Sequence, residues 1–138
     1  MTAEEYVERA YKQNVSIRQK QRRLTGLREI ATSTTAFVSD MPHASGDPQR
    51  LDGVLSRIID LEREIAQDRM LLKDMKADVA VVLARLNSPT QMQVMSKRYL
   101  EFKSWKEVAA DMGKSTRWTL QQRNRALNEI VKICSIHS

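Results

Sequence analysis

The sequence predicts an all-α protein in which a long N-terminal helical hairpin or coiled coil is followed by a C-terminal helix-turn-helix. Only 4 Gly and 3 Pro interrupt the 138 residues. Aromatic residues make up 5% of the chain and charged residues 29%, which favours extended helices over one thick core. An apolar heptad repeat occupies the middle of the chain, and closely spaced helix-capping signals follow it.

The N-terminal segment predicts one helix that begins after Thr2 and ends at about Ile30. Thr2 and Glu5 form a capping box, and apolar residues then recur at helical spacing. This apolar stripe is narrow, so we expect the helix to need a partner surface. Residues 32–49 are polar, rich in β-branched residues and interrupted by two prolines. We expect them to form a flexible connection.

Residues 50–87 carry the clearest periodic signal. A heptad repeat counted from Leu51 has apolar residues at ten of its eleven a and d positions, which predicts a left-handed coiled coil ending at Asn87. The repeat is compatible with pairing within one chain or between two chains. Asp68 is the exception, and it is expected either to meet a basic residue or to lie in a hydrated part of the seam. The basic candidates are Arg22, Arg23 and a symmetry-related Arg69.

Capping signals divide residues 88–138 into short helices. The predicted N-cap residues are Ser88, Ser104 and Ser115. Gly113 is suited to the left-handed position that closes a helix, so the last two helices are joined by about three residues. This spacing is typical of a helix-turn-helix. We therefore divide the chain into a helical oligomerisation region, 1–87, and a DNA-binding domain, 88–138.

The last helix has the composition of a groove-reading element. From Thr116 to Arg125 it holds three arginines, two glutamines and an asparagine, with no acidic residue. Arg contacts guanine edges bidentately, and Gln or Asn does the same at adenine. The candidate base contacts are Thr116, Arg117, Leu120, Gln121, Asn124 and Arg125. The candidate phosphate contacts are Lys97, Arg98, Lys103, Lys106, Lys114, Ser115 and Arg123. A net charge of +6 also favours a polyanionic partner.

Two stretches near the C-terminus, Ser104 to Trp118 and Arg125 to Ile130, resemble region 4 of sigma-70-type factors. The whole chain is similar to small phage and prophage transcription regulators of the RinA and ArpU kind. That similarity rests on Ala31-Thr32-Ser33, Met41-Pro42-His43, Ser45-Gly46, Asp60-Leu61-Glu62, Arg98-Tyr99-Leu100, Ser115 to Trp118 and Arg125-Ala126-Leu127.

The resemblance implies a function, and it implies which residues of the last helix face the DNA groove. It implies a sequence-specific regulator of phage or prophage genes that binds double-stranded DNA and has RNA polymerase as a further candidate partner. Within the sigma pattern, the groove-reading positions fall on Thr116, Arg117, Leu120 and Gln121. Thr119 and Gln122 stand where that pattern usually has apolar residues.

The sequence offers little material for catalysis or metal binding. Cys134 is the single cysteine, His43 falls in the predicted connection, and His137 lies near the end of the sequence. We therefore expect no enzymatic activity, no cofactor and no metal. The sequence has no apolar run long enough for a membrane span, and its first residues do not resemble an export signal, so a cytoplasmic location is expected.

Two other functions fit a helical chain with these motifs. A phage small terminase subunit also combines a helix-turn-helix with oligomerisation helices, although its DNA-binding module commonly comes first. A protein-only adaptor that contacts RNA polymerase or a regulator would use the same small helices as an interaction bundle. A homo-oligomer is expected, and a dimer would favour the regulator whereas a large ring would favour the terminase.

Overall fold

The computed structural model describes residues 1–40 and 48–135, and within these ranges it contains helices and no strands. The helices are α1 (Ala3–Asp40), α2 (Pro48–Leu83), α3 (Pro89–Tyr99), α4 (Trp105–Met112) and α5 (Thr116–Ser135). The predicted all-α class is confirmed. Within the same two ranges, no helix combines the length and the apolar character needed to cross a membrane.

Packing divides the chain into two compact units. Unit 1 comprises Met1–Asn14 and Leu71–Ser138, and unit 2 comprises Val15–Met70. Both long helices therefore contribute one part to each unit. The predicted division into an oligomerisation region, 1–87, and a DNA-binding domain, 88–138, concerns function and stays a prediction.

Helix α1 is longer than expected. It continues to Asp40, whereas the sequence predicted an end near Ile30 and a connection from residue 32. Residues 32–40 contain neither Gly nor Pro, the two strongest helix breakers, so the helix is not forced to end there. The Thr32 hydroxyl donates a hydrogen bond to the carbonyl oxygen of Arg28 at 2.9 Å, which satisfies this polar group within the helix. Helix α2 then begins at Pro48, an ordinary first-turn position for proline. Residues 41–47, including His43, lie outside the described residues, as does His137.

The predicted seam of α2 is confirmed by burial. Each a and d position from Leu51 to Leu86 is buried or half-buried. The helix ends at Leu83, four residues before the predicted Asn87. Tight turns follow, in which the amide of Leu86 donates to the carbonyl oxygen of Leu83 at 3.1 Å. Leu86 still packs into the core, because these turns keep its side chain on the buried side.

Unit 2 consists of the pairing of α1 with α2. Their contact is antiparallel, since Lys20 lies beside Asp68 and Arg28 lies beside Glu62. The Nζ atom of Lys20 is 2.6 Å from Oδ2 of Asp68, and this hydrogen bond raises the pKa of Lys20. Asp68 is thus paired, and its partner on α1, Lys20, is none of the three predicted basic candidates. Among the residues of this unit whose side chains are described, the buried apolar ones are Ile17, Leu24, Leu61 and Ile65.

Unit 1 is built around a larger core, to which both ends of the chain contribute. Helices α3, α4 and α5 each pack against the other two. The first turns of α1 and the last turns of α2 close the same core. Its buried members are Val7, Ala10, Val79, Leu83, Leu86, Met95, Tyr99, Ala126 and Ile130. Because Ala126 and Ile130 belong to α5, this core fixes which face of α5 points outward.

Candidate nucleic-acid interface

A tight turn joins α4 to α5. Ser104 caps α4, because its Oγ atom accepts a hydrogen bond from the amide of Glu107 at 3.1 Å. Gly113 closes α4 with a φ of 65°, and the amide of Lys114 donates back to the carbonyl oxygen of Ala109 at 3.0 Å. Ser115 then caps α5 by accepting from the amide of Trp118 at 3.1 Å. Three residues, 113 to 115, therefore separate the two helices.

Helix α5 presents one face to the core of unit 1. Thr119, Gln122, Ala126 and Ile130 are buried on this face at helical spacing. Thr119 is tolerated there because its hydroxyl donates to the carbonyl oxygen of Thr116 at 2.6 Å, which satisfies the polar group within the helix. The two polar residues in positions usually occupied by apolar ones therefore point inward and are unavailable to a ligand.

The opposite face of α5 is exposed and carries most of the predicted base contacts. Arg117, Gln121 and Asn124 follow one another at i, i+4 and i+7, and Arg125 lies beside them. Thr116 is also exposed, whereas Leu120 is half-buried at the edge of this face. Among the described residues, the side chains of Arg117, Gln121, Asn124 and Arg125 have no hydrogen-bond or ion-pair partner. No acidic residue occurs on α5 before Glu129.

Asn128 extends this exposed face by one further turn. It is exposed and stands four residues after Asn124, so its side chain follows the same line along α5. Asn128 is not among the predicted base contacts. The i, i+4 spacing from Asn124 was the signal that would have identified it.

Three of the predicted phosphate contacts are exposed to solvent near the starts of α4 and α5. Lys106 and Lys114 are exposed, and neither pairs with an acidic residue in the described part of the chain. The Nζ atom of Lys114 lies 5.6 Å from the centre of the Trp118 ring, a cation–π contact beside the first turn of α5. Ser115 is exposed, and its hydroxyl oxygen is engaged as the helix cap.

Lys97 and Lys103 are instead held by one carboxylate. The Nζ atom of Lys97 is 3.5 Å from Oδ2 of Asp111, and Lys103 donates a hydrogen bond to the same oxygen. The hydrogen bond from Lys103 lowers the pKa of Asp111, and the same contact raises the pKa of Lys103. The charges of these lysines are partly compensated within the fold.

The remaining two cations, Arg98 and Arg123, pack around aromatic rings. The guanidinium carbon of Arg98 is 3.8 Å from the centre of the Tyr11 ring and 5.1 Å from that of Trp105. The guanidinium carbon of Arg123 lies 5.9 Å from the Trp105 ring centre, and Arg123 donates a hydrogen bond to Glu4 on α1. Both are half-buried, so they serve the packing of unit 1.

The resemblance to sigma region 4 and to phage regulators stays a prediction. No protein-family model, curated protein or solved structure matches the chain.

Proposed function

We propose that this protein binds double-stranded DNA in a sequence-specific manner, with α4, the turn at Gly113 and α5 acting as a helix-turn-helix. One observation carries this proposal. The outward face of α5 is formed by arginine, glutamine and asparagine side chains that are exposed and unpaired among the described residues. No acidic residue occurs on α5 before Glu129, so the positive charge of this face has no counter-charge on its own helix, and this favours an anionic partner.

The chemistry of this face fits base edges in the major groove. Arg117 and Gln121 stand in the first turns of α5, where a recognition helix makes its base contacts. Arg117 is suited to the O6 and N7 atoms of guanine, and Gln121 or Asn124 to N6 and N7 of adenine. Thr116 and Arg125 border the same face and are the remaining candidates for base contact. Leu120, half-buried at the edge, suits apolar contact with a thymine methyl group.

The exposed cations near the turn fit the DNA backbone. Lys106 and Lys114 lie at the starts of α4 and α5, where freed backbone amides also favour an anion. In our proposal these lysines neutralise phosphates and set the affinity and its salt dependence, while Arg117 and Gln121 set the sequence preference.

The biological role that we propose is regulation of phage or prophage transcription in the cytoplasm. It rests on the sequence resemblance described above, which also makes RNA polymerase a second proposed partner. We propose a homo-oligomer, with a dimer favoured. Paired half-sites in the bound DNA, separated by about 10 base pairs or a multiple, are the expected signature of such a dimer.

Selection of bound duplexes from a random pool is the experiment that tests this proposal. The full chain should enrich a short defined motif at moderate salt. Arg57→Ala serves as a matched control, because Arg57 is an exposed arginine of α2, in the other unit. This variant should enrich the same motif. Failure of the wild-type chain to retain any duplex would contradict DNA binding and favour the protein-only adaptor. A ring of eight or more subunits would favour the terminase.

A further inference from the structure

Glu4, at the start of α1, pairs with Arg123, a predicted phosphate contact 119 residues away in sequence. The pair lies within unit 1. Arg123 has 20% of its side chain exposed, and Glu4 has 50%. The guanidinium group also lies over the Trp105 ring, so its direction is fixed from two sides.

The fold holds Glu4 firmly at this position. Thr2 caps α1 by accepting a hydrogen bond from the amide of Glu5 at 3.1 Å. Val7 and Ala10, one and two turns further on, are fully buried in the core that also contains Ala126 of α5. The first turn of α1 is therefore docked beside α5.

Arg123 borders the proposed DNA-reading face. It follows Thr116 and Leu120, two candidates at the edge of this face, at i+7 and i+3, so the three side chains lie along one strip of α5. A guanidinium group at this border is suited to a backbone phosphate. In the structure, however, it is turned to a carboxylate that carries the same charge as a phosphate.

We propose that Glu4 acts as an intramolecular substitute for DNA phosphate, which withholds Arg123 from DNA and limits the affinity of the whole chain. Loss of the Glu4 carboxylate frees Arg123 to neutralise one more phosphate. Duplex affinity then rises for all sequences alike, since a phosphate contact carries no base information. This inference rests on the proposed DNA binding and adds a regulatory role for the first turn of α1.

Glu4→Gln and Glu5→Gln form the test pair. Both remove one negative charge from the same helical turn, but Glu5 is exposed and has no side-chain partner among the described residues. Glu4→Gln should bind a specific and an unrelated duplex on the order of fivefold more tightly at 0.1 M salt, and its log-log salt slope should steepen by about one. Glu5→Gln should keep the slope of the wild type.

The double variant Glu4→Gln/Arg123→Gln separates release of Arg123 from loss of repulsion by Glu4. The gain should disappear in it, and a gain that persisted would overturn the proposal. Thermal melting verifies folding, and if the double variant unfolds, the comparison of Glu4 with Glu5 decides alone. Identical salt slopes for Glu4→Gln and Glu5→Gln would also overturn it.

Elution from immobilised heparin keeps this inference separable from the proposed function. Heparin is a polyanion, so freed Arg123 should delay elution of Glu4→Gln to higher salt than Glu5→Gln even if no duplex binds. If the wild-type chain does not bind duplex DNA but Glu4→Gln still elutes late, the result contradicts the proposed DNA binding and leaves the role of Glu4 supported. Sequence-specific duplex binding with equal elution of the two variants would contradict only the role of Glu4.

Discussion

At the residue scale, the basic side chains of the C-terminal part differ in whether they are already paired within the fold. Residues 88–138 contain nine basic and four acidic side chains. Lys97 and Lys103 share Asp111, and Arg123 is paired with Glu4. Of these nine cations, the ones that are exposed and have no hydrogen-bond or ion-pair partner among the described residues are Lys106, Lys114, Arg117 and Arg125. All four lie on α4, on α5 or in the turn between them, so the unpaired positive charge of residues 88–138 lies at the proposed interface.

Tyr99 offers a prediction at the same scale. It is fully buried beside Trp105, and its hydroxyl has no hydrogen-bond partner among the described residues. Burial raises its pKa to about 12, so the hydroxyl stays protonated at neutral pH. Tyr99→Phe removes a buried unpaired polar group, and the free energy of unfolding should stay constant or rise by about 1 kcal/mol. Urea denaturation measures this, and a loss above 1 kcal/mol would show that the hydroxyl is hydrogen-bonded.

At the element scale, local capping chemistry determines where the short helices begin and end. Each predicted N-cap makes its hydrogen bond, as Ser88 does with the amide of Gln91 at 3.2 Å. Gly113 adopts the left-handed conformation that ends α4 and aims the chain into α5. The geometry of the turn between α4 and α5 thus follows from a few residues acting within one helical turn.

Two glycines should respond to alanine with opposite signs. A Cβ atom at Gly113 or at Gly26 would meet nothing within 4 Å. Gly113 has a φ of 65°, so Gly113→Ala should lower the free energy of unfolding by about 1 kcal/mol through backbone strain. Gly26 lies inside α1, so Gly26→Ala should raise it by roughly 0.5 to 1 kcal/mol. Thermal or urea unfolding compares them, and destabilisation of equal size would refute the conformational explanation.

Substitutions at Val79 and Val81 test which face of α2 forms the buried seam. The two valines stand two residues apart in one helix, but Val79 is fully buried in the core of unit 1 and Val81 is 65% exposed. Val79→Asp should cost about 3 kcal/mol or more, because an unpaired carboxylate enters an apolar site. Val81→Asp should change stability by less than about 0.5 kcal/mol. Circular dichroism melts of the two variants check this, and similar melting temperatures would mean that the seam is misplaced.

The sequence predicted local features well and tertiary ones poorly, for a physical reason. Caps and the heptad seam depend on residues a few positions apart. The pairing of Asp68 with Lys20 depends on a neighbour on another helix, which spacing does not reveal. At the interface, composition identified Arg117 and Gln121 as exposed candidates. It did not reveal that Arg98 and Arg123 are engaged by Tyr11 and Glu4, because those partners lie on α1.

At the scale of the whole molecule, two units with different content share the two long helices. Unit 1 contains the larger core and every residue of the proposed interface. Unit 2 is a two-helix pairing, and four buried apolar residues lie in the part of it whose side chains the structure describes. The net charge of +6 favours approach to a polyanion, and in our proposal the exposed face of α5 supplies the groups that distinguish one DNA sequence from another.

The central claim is that α5 reads base edges through Arg117, and the ratio of affinities for a selected and an unrelated duplex tests it most directly. Arg117→Ala should reduce the free-energy difference between binding the two duplexes by roughly 1 to 3 kcal/mol. Its affinity for unrelated DNA should fall much less. Lys114→Ala should weaken both duplexes alike and lower the salt slope by about one. An Arg117→Ala protein that kept the full ratio, while Lys114→Ala altered the preferred bases, would contradict the proposed orientation of α5.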